Sequence, residues 1–269
     1  MEKSNDTCYV EKRIIHTKAH RIPILMYTPI DLSQQESPCL ILYHGGGFVL
    51  PASLHHYKLA RQYAIKAGCR VVFVNYSLAP RHSFPQAIFE CFKVYEWLLN
   101  HAKELNIDAS KIGVGGDSAG GQLASDVCIS AKRKDIALPC LQMLIYPACT
   151  NGVETESIKE FIDTPMCNTK DMNRYLELYL KNNTVVHPEY LNLVEANLTN
   201  MPPTYIEIAE FDCLRDGALL FAEELTKNNV QICIHSTKGT IHGYDISLSS
   251  PIVKESISKR IDFLKTHLK

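Results

Sequence analysis

The sequence has no surplus of charge of either sign, no closely paired cysteines and no long apolar run, and each absence removes a class of function. Lys and Arg number 28 against 29 Asp and Glu, a formal net charge of −1. Without a basic field there is no long-range attraction for nucleic acid or an anionic membrane surface, and a small, roughly neutral substrate fits better. Ten cysteines are present but scattered singly, with no Cys-x-x-Cys to hold zinc or a redox disulfide. Several stand in apolar runs, so Cys39, Cys128 and Cys233 read as small buried side chains in a reducing compartment rather than as a disulfide framework. No run approaches the length of a membrane span, and Met1 to Asp6 opens no apolar leader segment. The cytoplasm is therefore the expected location. Repeats and low-complexity tracts are also missing.

What is there suffices for a large core: 46% of residues are hydrophobic and 21% charged, too few charges for disorder. The 269 residues are expected to form one α/β domain, residues 1–269. Tyr9–Val10 with Ile14–Ile15, and Ile22 to Tyr27, read as an opening antiparallel pair. Beyond them, strands and helices alternate. Cys39 to Tyr43, Val71 to Val74, Ile112 to Val114, Leu141 to Ile145, Tyr205 to Ile208 and Val230 to Ile234 are the predicted strands. Between and after them fall predicted helices over Leu59 to Ala67, Ile88 to Ala102, Ala119 to Lys132, Gly217 to Asn228 and Ile252 to Leu268. The pattern implies a mostly parallel sheet covered on both faces. Residues 150–201 break the rhythm. They carry one helix-like stretch from Met172 to Leu180 and are expected to form a cap-like insertion over the carboxyl edge of the sheet.

Chemistry concentrates in three places. Gly116-Asp117-Ser118-Ala119-Gly120 follows a predicted strand and opens a predicted helix, a setting that pushes the serine into an exposed corner as a nucleophile. Gly116 and Gly120 stand where side chains would collide. Upstream, His44-Gly45-Gly46-Gly47-Phe48 ends a strand; Gly46 and Gly47, with Ala119, are candidate N–H donors to an oxyanion. His44 is expected to brace this loop. Downstream, His242 lies in Gly239-Thr240-Ile241-His242-Gly243 after the last strand and is the candidate base, whereas His55, His56, His82, His101 and His267 read as solvated positions. Asp212, directly after the strand that contains Glu207 and Glu210, is the candidate acid; Asp216 is expected to cap the following helix instead.

These motifs, together with Tyr76-Ser77-Leu78-Ala79-Pro80 and Asp212-Cys213-Leu214-Arg215-Asp216, resemble the hormone-sensitive-lipase-like family of α/β-hydrolases, in the family's order and over most of the chain from about residue 22. The resemblance implies an α/β-hydrolase fold and a serine carboxylesterase or lipase acting on short- to medium-chain acyl esters without metal or cofactor. It implies Ser118 as nucleophile, Asp212 as acid, His242 as base and Gly46, Gly47 and Ala119 as oxyanion donors. Edge-strand dimers are common among members, which admits a homodimer. Two departures concern the scaffold and the pocket. Ser77 and Arg81 stand where the family has arginine and glutamate, so a usual ion pair is lost or rearranged. Only 43 residues precede His44, so the N-terminal helical cap is expected to be shortened and the acyl pocket to be formed mainly by residues 150–201 and the loop after Phe48. Two other readings stay open: a deacetylase of acetylated sugars or arylamides, and a non-catalytic receptor on the hydrolase fold.

Overall fold

Alternating apolar side chains in the strands Cys39 to Tyr43 and Val71 to Val74 face two separate cores, and the whole architecture follows from that. In the computed structural model, which describes residues 3–17, 20–181 and 187–268, Leu40, Leu42, Val71 and Phe73 pack into one apolar cluster, and Cys39, Ile41, Tyr43, Val72 and Val74 into another. Each such side chain, fully withdrawn from water, contributes about 1.5–3 kcal/mol. A sheet apolar on both faces needs helices on both faces.

The strands are β1 (Cys8–His16), β2 (Arg21–Pro29), β3 (Ser37–Tyr43), β4 (Arg70–Val74), β5 (Ile107–Asp117), β6 (Gln142–Ile145), β7 (Thr204–Phe211) and β8 (Ile232–Ile241). They form one sheet in the order β1-β2-β4-β3-β5-β6-β7-β8. β1 and β2 form the expected antiparallel pair, β2 runs antiparallel to β4, and the other pairs are parallel. The helices are α1 (Leu54–Ala67), α2 (Gln86–His101), α3 (Ala119–Arg133), α4 (Glu156–Glu160), α5 (Thr169–Leu180), α6 (Arg215–Lys227) and α7 (Pro251–His267). Helices α1 and α7 cover one face, and α2, α3 and α6 the other. Gly68 ends α1 in the left-handed conformation, φ 69°, which costs a glycine nothing.

Residues 150–201 add no strand to the sheet among the described residues; they carry α4, α5 and two short 3-10 turns. Positions 182–186 of that expected insertion, like Met1 and Glu2 of the expected leader-free start, lie outside the described residues.

Two strands outrun their apolar signatures. β5 starts at Ile107 rather than Ile112, because its first residues pair with Ser37 across a register shift. β8 continues to Ile241, its polar second half pairing with Ile208 to Phe211, and Gly239 at φ 68° sits at the irregularity. Cys233 is exposed, not buried as expected, because β8 lies at the sheet edge, where Cys233 and its neighbour Ile234 are both open to solvent. Cys39 and Cys128 are buried as expected.

Candidate active site

The strand ends of β3, β5, β7 and β8 converge on one spot at the carboxyl edge, and each brings one part of the site. β5 ends at Asp117, and Ser118 turns the chain into α3 with φ 54° and ψ −120°. A serine held at positive φ is strained by roughly 1–3 kcal/mol. Surrounding bonds hold it there: Ser118 N–H donates to Ile145 O at 2.8 Å, and Ala148 N–H donates to Ser118 O at 3.2 Å. The flanking glycines are sterically enforced. A Cβ on Gly120 would meet Tyr43 O at 2.1 Å, and one on Gly116 would meet the same oxygen at 2.4 Å.

Ser118 Oγ lies 2.9 Å from His242 Nε2, and His242 Nδ1 lies 2.7 Å from Asp212 Oδ2. A carboxylate only accepts, so Nδ1–H donates to Asp212 and Nε2 accepts from the serine hydroxyl. Asp212 is itself fixed by the Leu214 N–H at 2.9 Å on its other oxygen. Burial alone would lower the His242 pKa, but the Asp212 carboxylate and its hydrogen bond outweigh burial and raise it above the ordinary imidazole value. His242 is the first residue past β8, so its imidazole hangs from a strand end rather than from a free loop.

The loop after β3 passes the serine on its other side. Gly46 and Gly47 have φ of 116° and 59°, and their backbone N–H groups donate to no acceptor among the described residues. Ala119 begins α3, where the helix leaves its N–H without an internal partner. His44 is buried with Nδ1 2.6 Å from Gly45 O, its ring stacked on Tyr76 at 4.3 Å, and its carbonyl accepts the Tyr76 hydroxyl at 2.6 Å. Burial pushes its pKa down to about 4, so it is a neutral brace.

Other expectations need revision. Asp216 lies inside the first turn of α6, whose cap position is Leu214; it accepts the Ser157 N–H at 2.7 Å and the Arg215 Nε–H at 2.8 Å, tying α4 to α6. Glu207 is buried in β7 and bound by Arg260, Tyr205 and Tyr244. Where an ion pair was expected to be lost or rearranged, buried Glu90 accepts the Ser77 N–H at 2.7 Å and its hydroxyl at 2.8 Å. His56 is buried rather than solvated, and His55, His82, His101 and His267 are only partly exposed. Its Nδ1 accepts the Ser53 N–H at 2.9 Å, which leaves Nε2–H to donate to Asp117 Oδ2 at 3.2 Å. Burial would raise Asp117, but His56 holds its carboxyl well below the usual range. Sequence reasoning missed this pair; its signals were the acid inside the serine motif and a histidine three residues after Ser53.

A cavity of about 240 Å³ opens onto Ser118 and His242, walled by Leu50, Pro51, Tyr146 and Ile246 and by Met166 and Tyr175 from the insertion. The loop after Phe48 and residues 150–201 each contribute to the pocket, but Tyr146, Gly243 and Ile246, which belong to neither, line it as well.

Residues 40–246 match a family model described as alpha/beta hydrolase fold. The chain is 32% identical over 255 residues to the carboxylesterase NlhH of Mycobacterium tuberculosis, covering 92% of this chain and 79% of that one. It is 28% identical over 274 residues to an ethyl acetate hydrolase of Pseudomonas putida, covering 97% and 83%. Among solved structures, a hyperthermophilic esterase from the archaeon Pyrobaculum calidifontis superimposes with a TM-score of 0.89 at 32% identity, covering 96% and 85%.

Proposed function

The chain belongs to the α/β-hydrolase family, in its hormone-sensitive-lipase-like branch, and is a serine carboxylesterase; on that premise we propose that Ser118, His242 and Asp212 carry the reaction. The observation behind this assignment is the unbroken chain of short contacts from Ser118 Oγ through the imidazole to Asp212.

Ser118 Oγ bonds to the ester carbonyl carbon while its proton passes to His242 Nε2. The carbonyl electron pair moves onto oxygen, facing the N–H groups of Gly46, Gly47 and Ala119. The tetrahedral intermediate collapses, the alcohol leaves with the proton from His242, and an acyl group stays on Ser118. Water then repeats the sequence in reverse roles and releases the carboxylic acid. Asp212 keeps Nδ1 protonated and steadies the imidazolium. A histidine bonded to both neighbours argues against a non-catalytic receptor.

Ser118→Ala tests the assignment: hydrolysis of p-nitrophenyl acetate and butyrate should vanish with the circular dichroism spectrum unchanged. Activity near the unsubstituted level would rule Ser118 out as nucleophile.

The finer readings are proposals of the same kind. A single domain, with α4 and α5 as its cap, is supported by the one sheet whose strands are drawn from Cys8 to Ile241. Ten cysteines without a disulfide support a reducing compartment such as the cytoplasm. The exposed Ile234 on edge strand β8 supports a homodimer through that edge.

A further inference from the structure

Two cavities meet at Ser118, and they differ in size and in what they touch. The larger, about 240 Å³, reaches His242, Gly243 and Ile246. The smaller, about 10 Å³, lies beside Ala119 and is lined by Phe48, Ala148, Tyr175 and Leu176. Both touch Gly47 and Ser118, but only the larger touches His242.

Chemistry assigns a substrate half to each. The base that takes the serine proton must hand it to the leaving oxygen, so the alcohol half has to lie on the His242 side. With the carbonyl oxygen toward the N–H groups of Gly46, Gly47 and Ala119, the acyl chain is left the opposite side. The room there is close to what a single water molecule needs, enough for a methyl group and too little for a propyl tail.

The closing wall is braced. The Phe48 ring stacks on Tyr179 at 4.1 Å with 9° between planes, and Phe84 N–H donates to Tyr179 O at 2.8 Å. Tyr175 lies so close to Gly47 that a Cβ there would come within 2.4 Å of its ring. On the other side the larger cavity is walled by apolar groups, among them Leu50, Pro51, Tyr146 and Ile246.

Building on the serine-esterase reading above, we propose that the enzyme is selective for acetyl esters of bulky, mainly apolar alcohols, and that Leu176 is a specificity-determining residue that shuts the acyl side. Leu176, like Phe48 and Ala148, lines the small cavity and not the large one, so it is a position at which acyl length can be changed separately from the alcohol.

The test compares kcat/KM on two substrate series. In the first, 1-naphthyl acetate, propionate, butyrate and hexanoate share an alcohol; a fall of roughly tenfold or more from acetate to butyrate is expected. In the second, ethyl, 2-phenylethyl and 2-(1-naphthyl)ethyl acetate share an acyl group and have alcohols of similar acidity; the rate should rise with alcohol size. Leu176→Ala should raise the butyrate-to-acetate ratio about tenfold, and Leu176→Phe should lower the propionate-to-acetate ratio. Hexanoate turned over as well as acetate, or a chain-length profile unmoved by both variants, overturns the proposal. A protein that hydrolyses no ester and whose Ser118 takes no fluorophosphonate label overturns the esterase reading itself. One that is labelled but shows a flat profile overturns only the selectivity.

Discussion

Replacing Arg260 by methionine should be among the most destabilising single changes in the molecule. The guanidinium of Arg260, on α7, is fully buried and donates through Nε to Glu207 at 2.9 Å, through Nη1 to Asp245 at 2.8 Å and to the Tyr63 hydroxyl at 3.1 Å, with Nη2 on the second Glu207 oxygen. Tyr205 and Tyr244 also donate to Glu207, at 2.9 and 2.7 Å, and Tyr146 donates to Asp245. The variant keeps an unbranched apolar stem but removes the guanidinium and leaves two buried carboxylates without the cation they share. Removing one partner of a buried ion pair costs about 3–5 kcal/mol. For a chain of this size each kcal/mol moves Tm by about 2–4 °C, so the expected drop is roughly 6–20 °C. Its pH dependence identifies the cause. Burial would raise Glu207, but Arg260 and the hydrogen bonds hold it below its ordinary value, so the stability it contributes is present above an unfolded pKa of about 4.3 and is lost as pH falls. Without Arg260, Glu207 must bind a proton to stay buried, which costs most at high pH. Thermal unfolding followed by circular dichroism at pH 8 and pH 5 should therefore show the gap between the two proteins narrowing on acidification. A loss below about 1 kcal/mol, or a gap the same at both pH values, would refute this account of the cluster.

The other predictions concern the site. Asp212→Asn should lower kcat by about 10⁴ while Asp216→Asn costs far less; steady-state kinetics showing the reverse order would move the acid to Asp216. Because His242 must be neutral to act as base and Asp212 raises its pKa, the acid limb of kcat/KM should fall off above the ordinary imidazole value of about 6.5; a pH profile with the limb well below that value contradicts the coupling. Gly120→Ala places a methyl group 2.1 Å from Tyr43 O, and since backbone on both sides must move, a loss of at least about 1–3 kcal/mol with collapse of activity is expected. A Gly120→Ala protein with unchanged Tm and kcat would show that the turn has slack.

Ser118, Gly46, Gly47 and His242 were legible in the sequence because what places them is local: a buried strand stops, and glycines permit a turn that other residues cannot make. The Asp212 choice drew on the same rule, an acid immediately after a strand. What the sequence hid are pairings across distance. His56 and Asp117 are 61 positions apart and Arg260 and Glu207 are 53 apart, and no periodicity links either pair. Edge position is equally invisible: Ile232-Cys233-Ile234 is as apolar as a central strand, yet β8 has a neighbour on one side only. The reading of His56 as solvated failed for a related reason, since a histidine next to a second histidine at a helix start looks hydrated until the strand end carrying Asp117 is set against it.

The span between the two residues proposed to react has a consequence for how the enzyme is made. Ser118 and His242 are 124 positions apart, and Arg260, which locks the turn after His242 through Asp245, comes later still. A nascent chain leaving the ribosome therefore exposes its serine long before the imidazole that activates it, and receives the imidazole before α7 can hold that turn in place. Esterase activity should appear only once α7 has docked, and a chain cut short before Arg260 is expected to show none.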